Sequence, residues 1–249
     1  MIYVTVPGDT VSSISRQSGV PVWKIIYDNQ LGEEGELTVG QALLLLKPQE
    51  SAEIREDLYV TGYAYPFIEP YVLEMAFPAL NELLVFSYGF TFEGELVPPI
   101  QDETWMIQLA WENGIEPMLV LTPFTQGVFN NQLIQTLVEE ESVRENVITN
   151  LLKVVEEKGY VGVDVDFEYV RAQNREGYAE FVGELRAAMN EKGYRVSVAL
   201  APKTSSDQKG LLYEGIDYAL LGAQADRLFL MTYEWGSSYG PPMAVAPLT

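Results

Sequence analysis

The stretch Gly162-Val163-Asp164-Val165-Asp166-Phe167-Glu168 decides the fold. Side chains of a β-strand alternate between its two faces. Val163, Val165 and Phe167 therefore share one face, and Asp164, Asp166 and Glu168 share the other. Acids two positions apart on a strand lie roughly 6.6 Å apart along its axis. An ordinary core avoids stacking carboxylates in this way, because burying each charge is costly. Like charges at that spacing raise one another's pKa, so the row holds a proton near neutral pH. An apolar face opposite the acids needs a cover of helices. The acids then line the inside of a sheet, with Glu168 nearest its C-terminal rim.

The flanking sequence supplies the cover. Patterns for strands at Leu58 to Tyr65, Leu83 to Tyr88, Glu116 to Thr122, Gly162 to Glu168, Arg195 to Ala201 and Arg227 to Tyr233 alternate with helical patterns. Strongly apolar strands separated by helices predict a parallel sheet buried on both faces. Six such units predict a (β/α)₈ TIM-type barrel, α/β in class, incomplete at its C-terminal end. After Tyr233, Pro241-Pro242 and Pro247 break regular structure, and no seventh or eighth strand is expected. An open barrel edge invites self-association. Active sites of barrels sit at the C-terminal rim, which favours Glu168 as a general acid.

Composition narrows the chemistry. The 249 residues include no His and no Cys, so Ser-His-Asp and Cys-His catalysis, disulfides and Cys-based zinc sites are excluded. Lys and Arg total 15 against 36 Asp and Glu, a net charge of −21. Such a chain is repelled by nucleic acid and by anionic membrane surfaces, whereas a neutral polysaccharide suits it. No metal and no cofactor is called for. The N-terminus carries no visible signal peptide.

Residues 1–48 read as a separate unit: strand, helix, helix, strand, followed by a polar linker over 49–56 and the barrel over 57–249. Pro7-Gly8-Asp9 is a turn, and Asp9 or Thr10 can cap the first helix. This segment resembles a LysM module. The resemblance rests on Tyr3-x-Val-x-x-Gly8-Asp9-Thr10-Val11-x-x-Ile14-Ser15, on Trp23-x-Ile-x-x-Asp28-Asn29, and on Leu37-x-Val39-Gly40-Gln41-x-Leu43. It implies binding of N-acetylglucosamine polymers, with Gly8, Asp9 and Thr10 at the glycan.

Val161 to Glu168 in turn resembles the Asp-x-x-Asp-x-Asp-x-Glu signature of glycoside hydrolase family 18, with Val161 in place of the first Asp. Members use the substrate's own 2-acetamido group as nucleophile. The resemblance implies Glu168 as proton donor, Asp166 as the residue orienting the acetamido group, and Asp164 as the partner setting the charge of Asp166. Met231-Thr232-Tyr233 resembles the family's Met-x-Tyr motif. It implies contact between the Tyr233 hydroxyl and the acetamido carbonyl, with Met231, Glu234 and Trp235 against the sugar. Tyr233-Glu234-Trp235-Gly236 and Tyr239-Gly240-Pro241-Pro242 are similar to the family's spore-cortex branch. That branch joins LysM modules to a family 18 barrel and cleaves N-acetylglucosaminyl bonds in peptidoglycan fragments, which implies a spore or cell-wall location. Tyr63 and Tyr88 are expected to stack on sugars at the rim, with Thr122-Pro123-Phe124 lining the cleft. Two alternatives stand beside the retaining hydrolase: a glycan-binding protein without turnover, and an inactive truncated fragment.

Overall fold

A β-strand pair with two helices packed on it makes the N-terminal segment. The computed structural model describes residues 1–32, 35–46, 58–125, 128–234, 240 and 245. The expected linker over 49–56 lies outside the described residues. The chain divides into two compact units, Met1–Asp57 with Thr232–Thr249, and Leu58–Met231.

In the first unit, β1 (Ile2–Val4) pairs antiparallel with β2 (Ala42–Leu44). Thr10 starts α1 (Val11–Ser18) because its side chain accepts from the Ser13 N–H while Ser13 returns a bond to the Thr10 N–H. Gly19 ends it in the left-handed region, at φ 76°, where a side chain would be strained. α2 (Val22–Asp28) follows. Ile14, Ile25 and Leu43 fill the small core. Asn29 ties α2 to β2: its amide donates to the Ile25 and Leu44 carbonyls, each at 2.9 Å, and its oxygen accepts from the Leu44 N–H at 2.6 Å.

The second unit begins with β3 (Thr61–Ala64), α3 (Pro70–Ala76), β4 (Glu82–Phe90), β5 (Leu96–Val97), α4 (Thr104–Glu112) and β6 (Glu116–Leu121). A short hairpin, β7 (Phe124–Thr125) and β8 (Val128–Phe129), leads to α5 (Asn131–Glu139) and α6 (Glu141–Lys158). Then come β9 (Gly162–Val165), α7 (Arg175–Glu191), β10 (Arg195–Leu200), α8 (Tyr218–Gln224) and β11 (Arg227–Leu230). Six parallel strands pair in the order β11-β10-β9-β6-β4-β3, and β5 adds antiparallel to β4. This is the expected α/β architecture, a curled half-barrel. Among the described residues β3 and β11 each pair on one side only.

Period-two alternation sorts the side chains. Leu83, Val85, Leu119, Leu121, Val163, Val165, Val196 and Val198 are buried against the helices. Leu84, Met118 and Val120 form a smaller apolar cluster on the inner face, joined by Val161. The position where the family signature has its first Asp thus packs apolar. Gly162 lets β9 and β10 approach, since a Cβ there would overlap the Arg195 backbone.

At the N-terminal end of the strands Glu82 is only 1% exposed, and two cations neutralise it. Arg227 of β11 donates to both Glu82 oxygens, at 2.6 and 2.8 Å, and Arg195 of β10 donates to one at 3.2 Å. Arg195 also reaches Glu116 at 2.6 Å. The guanidinium of Arg227 lies 5.0 Å from the Tyr59 ring centroid. A cation on the last strand thus holds an acid on the second, which keeps the sheet curled. Arg227→Met should cost about 2 kcal/mol in urea denaturation, because Arg195 alone remains to compensate a buried carboxylate. An unchanged midpoint would contradict this.

Candidate active site

β9 ends at Val165, three residues before Glu168, although the Asp166 N–H still donates to the Leu121 carbonyl at 2.9 Å. The expected strand through Glu168 is therefore shorter. The alternation persists beyond it. Phe167 packs among the covering helices, stacked on Tyr178 at 5.4 Å and Phe181 at 5.9 Å. That anchoring turns Asp166 and Glu168 to the other side.

Asp164 is wholly buried, and the register explains its partners. It lies opposite Ser197 of β10, whose hydroxyl donates to Oδ1. The Tyr63 hydroxyl of β3 donates to Oδ2 at 2.8 Å. Burial pushes the Asp164 pKa up, and these two hydroxyls pull against it. Asp166 is 6% exposed, and its Oδ1 is buried with no hydrogen-bond partner among the described residues. Burial first, then the charges of Asp164 and Glu168, push its pKa up to about 7. Glu168 is half-buried. The three acids are thus electrostatically one group, and the middle one sits between protonation states near neutral pH.

The aromatic assignments change. Tyr63 sits level with Asp164, half-buried, and bonds that acid rather than offering its face at the rim. Tyr88 is 2% exposed and points into the outer core, where its hydroxyl donates to Glu103 at 2.5 Å. Glu103 is shared there with the Lys158 ammonium at 2.6 Å. The cause is a register shift between Val85 and Tyr88, which breaks the alternation and turns Tyr88 away from the acids. Tyr65 takes the place at the rim: it is 48% exposed, and burial and then the charge of Asp166 raise its pKa.

Two site residues were passed over in the sequence reading. Ser197 carried a signal, since it is the lone hydroxyl between Val196 and Val198 on a strand beside the acids. Tyr65 carried one too, two residues beyond Tyr63 on the same face and nearer the rim.

Met231 follows β11, its N–H bonded to the Leu200 carbonyl at 2.9 Å. It falls on the same face as Phe229, whose ring meets Tyr63 edge-on at 5.5 Å. Tyr233 and Glu234 belong to the other unit, and Tyr233 is 38% exposed. Trp235 lies outside the described residues. In the first unit the Asp9 carboxylate accepts from the Tyr3 hydroxyl at 2.9 Å and the Val6 N–H at 2.8 Å. The Thr10 side chain is engaged in its cap, and Gly8 has φ 91°. Asp9 and Thr10 therefore shape the turn. Among the described residues no group of acids is arranged to hold a metal ion.

Comparison with known proteins agrees with this architecture. Residues 127–248 match the model for glycosyl hydrolases family 18, and residues 3–45 match that for the LysM domain. The cortical fragment-lytic enzyme of Bacillus subtilis (strain 168) is 36% identical over 174 residues, covering 70% of this chain and 40% of that protein. The crystal structure of the Bacillus cereus spore cortex-lytic enzyme SleL superposes with a TM-score of 0.72 at 31% identity, over 99% of this chain and 57% of that one. The corresponding Bacillus megaterium QM B1551 enzyme gives 0.70 at 28%, over 99% and 56%. The chain thus spans between 40% and 57% of the length of these relatives. With its acid row on the inner face of a curled parallel sheet, the chain carries a glycosyl hydrolase family 18 domain, matched over residues 127–248, beside a LysM domain over residues 3–45.

Proposed function

We propose that the chain cleaves N-acetylglucosaminyl bonds in peptidoglycan of the spore cortex, or in chitin-like glycans, with retention of anomeric configuration. The observation that carries this reading is the buried Oδ1 of Asp166, which has no hydrogen-bond partner among the described residues and belongs to the middle acid of the row. A buried acceptor left unpaired by the protein is costly. The N–H of a substrate acetamido group satisfies it.

In this mechanism Glu168 donates its proton to the glycosidic oxygen. The acetamido carbonyl oxygen attacks the anomeric carbon as the bond to the leaving oxygen breaks. The product is a cyclic oxazolinium, whose N–H bonds to the Asp166 carboxylate. Asp164, fixed by Ser197 and Tyr63, keeps negative charge beside Asp166 and so governs its proton. Water, deprotonated by Glu168, then opens the ring from the face the leaving group occupied. Double displacement at one carbon gives retention. The Met-x-Tyr resemblance assigns Tyr233 to the acetamido carbonyl, Met231 to the pocket, and Glu234 and Trp235 to the sugar. Gly8, Asp9 and Thr10 shape the LysM turn at which the polymer is gripped. The relatives' names and the LysM domain support a spore or cell-wall location.

One observation favours a second reading, glycan binding without turnover: the six-stranded sheet leaves the interval between β3 and β11 unpaired among the described residues.

Turnover separates the two readings. On N-acetylglucosamine oligomers the chain should release product with the β-configuration of the cleaved bond, read by proton NMR before mutarotation. Glu168→Gln should lower kcat by about 10²- to 10⁴-fold. Binding with no hydrolysis supports the second reading, and inverted product contradicts the mechanism. A stability measurement tests whether Asp166 is kept for substrate at the fold's expense. Its folded pKa of about 7 lies above the ordinary aspartate value of 3.8, so the folded state binds more protons between those pH values. Stability from this group is therefore present below about pH 4 and lost as pH rises toward 7. Asp166→Asn should be the more stable protein at pH 8, by an amount on the order of a few kcal/mol, with the gap closing toward pH 4. A gap independent of pH would contradict the assignment.

A further inference from the structure

Beyond the acid row, the ends of β3 and β4 set three aromatic rings in file. Phe67 stacks on Tyr65 with centroids 4.9 Å apart and planes 18° from parallel. Tyr65 leans on Phe86 at 4.8 Å and 56°. Phe86 is seated on the apolar inner cluster of Leu84, Met118 and Val120, whereas Phe67 is 67% exposed. The file climbs from the interior of the half-barrel to solvent.

A second wall faces the same space. Phe124 and Phe129 of the β7–β8 hairpin meet edge to face at 5.6 Å. Gly89 permits their approach, since a Cβ there would lie 2.5 Å from the Phe124 carbonyl oxygen. The walls and the segment Val97 to Gln101 enclose a cleft of about 580 Å³, a size suited to a small-molecule ligand. Tyr65, one of the residues that line it, is also the ring nearest the rim on the face that carries Tyr63.

The lining carries no formal charge. Its polar side chains are Ser87, Gln101 and the Tyr65 hydroxyl, and none of its described lining residues is Lys, Arg, Asp or Glu. Flat, exposed aromatic faces suit the apolar faces of sugar rings. An anionic ligand would find no counter-charge in the cleft. It would also approach a chain of net charge −21. Like charges placed together across a binding surface suppress a partner strongly.

We propose that this aromatic cleft selects sugar units by charge, holding neutral N-acetylhexosamine units and rejecting units that carry a free carboxylate. This inference rests on the glycosidase reading and adds a substrate class to it.

The test uses the full chain and three oligosaccharide series: N-acetylglucosamine oligomers, the same oligomers bearing a 3-O-lactyl acid on alternate units, and the methyl ester of that acid. Acid and ester differ by one charge at nearly the same size. The ester should exceed the acid in kcat/KM by at least about tenfold. Added salt should narrow that ratio. Gln101→Lys, which places a cation in the cleft, should reduce it to about threefold. Equal kcat/KM for acid and ester overturns the proposal, as does a ratio untouched by Gln101→Lys. Calorimetry on the chain and on Phe67→Ala separates this failure from that of the glycosidase reading. Neutral-selective binding lost in Phe67→Ala, with no cleavage of any series, overturns the glycosidase reading and leaves the cleft assignment standing. Binding blind to charge overturns the cleft assignment.

Discussion

Asp164 is the constraint around which the second unit is organised. A carboxylate with no exposure has to be held by donors that approach from other strands. Ser197 reaches it from β10 and Tyr63 from β3, so the sheet must be registered and curled enough to bring a strand at its edge to the acid. Once Asp164 is fixed, Asp166 lies on the same face with a like charge beneath it and Glu168 above, and its proton affinity follows from that neighbourhood. Position, curvature and charge state thus share one cause.

The opposite end of the sheet solves a related problem differently. Glu82 is about as buried as Asp164 and Asp166, yet it is compensated by Arg195 and Arg227. Compensation of that kind makes a structural acid. Asp166, by contrast, keeps a buried oxygen with no hydrogen-bond partner among the described residues. On the proposed function, the contrast separates two uses of a carboxylate within one half-barrel, one that serves the fold and one held against it for a ligand.

Much of this was legible in the residues. The alternation in Val163 to Glu168 is decisive because a strand covered by helices leaves only one face for acids. The strand–helix order and the capped helix at Thr10 follow from local rules of the same kind. Other features depend on contacts distant in sequence. Tyr88 reads as an inward residue until a shift in the pairing of β4 with β6 turns it toward Glu103. The hairpin at Phe124 and Phe129 has two-residue strands, too short to leave a periodic signal. Tyr63 was expected to stack on sugar at the rim, but its height relative to Asp164 is set by the sheet's curl. Ser197 needed only its neighbours Val196 and Val198 to be noticed.

The central claim is that the acid row works as one electrostatic group, with Asp164 setting the proton affinity of Asp166. Carbon-13 NMR of the aspartate carboxyl groups, assigned with Asp166→Asn, measures this directly. The account predicts that Asp166 titrates near pH 7, and that in Asp164→Asn its midpoint moves down toward the ordinary carboxylate range. A midpoint near 4 in the unaltered chain, or one indifferent to Asp164→Asn, would contradict it.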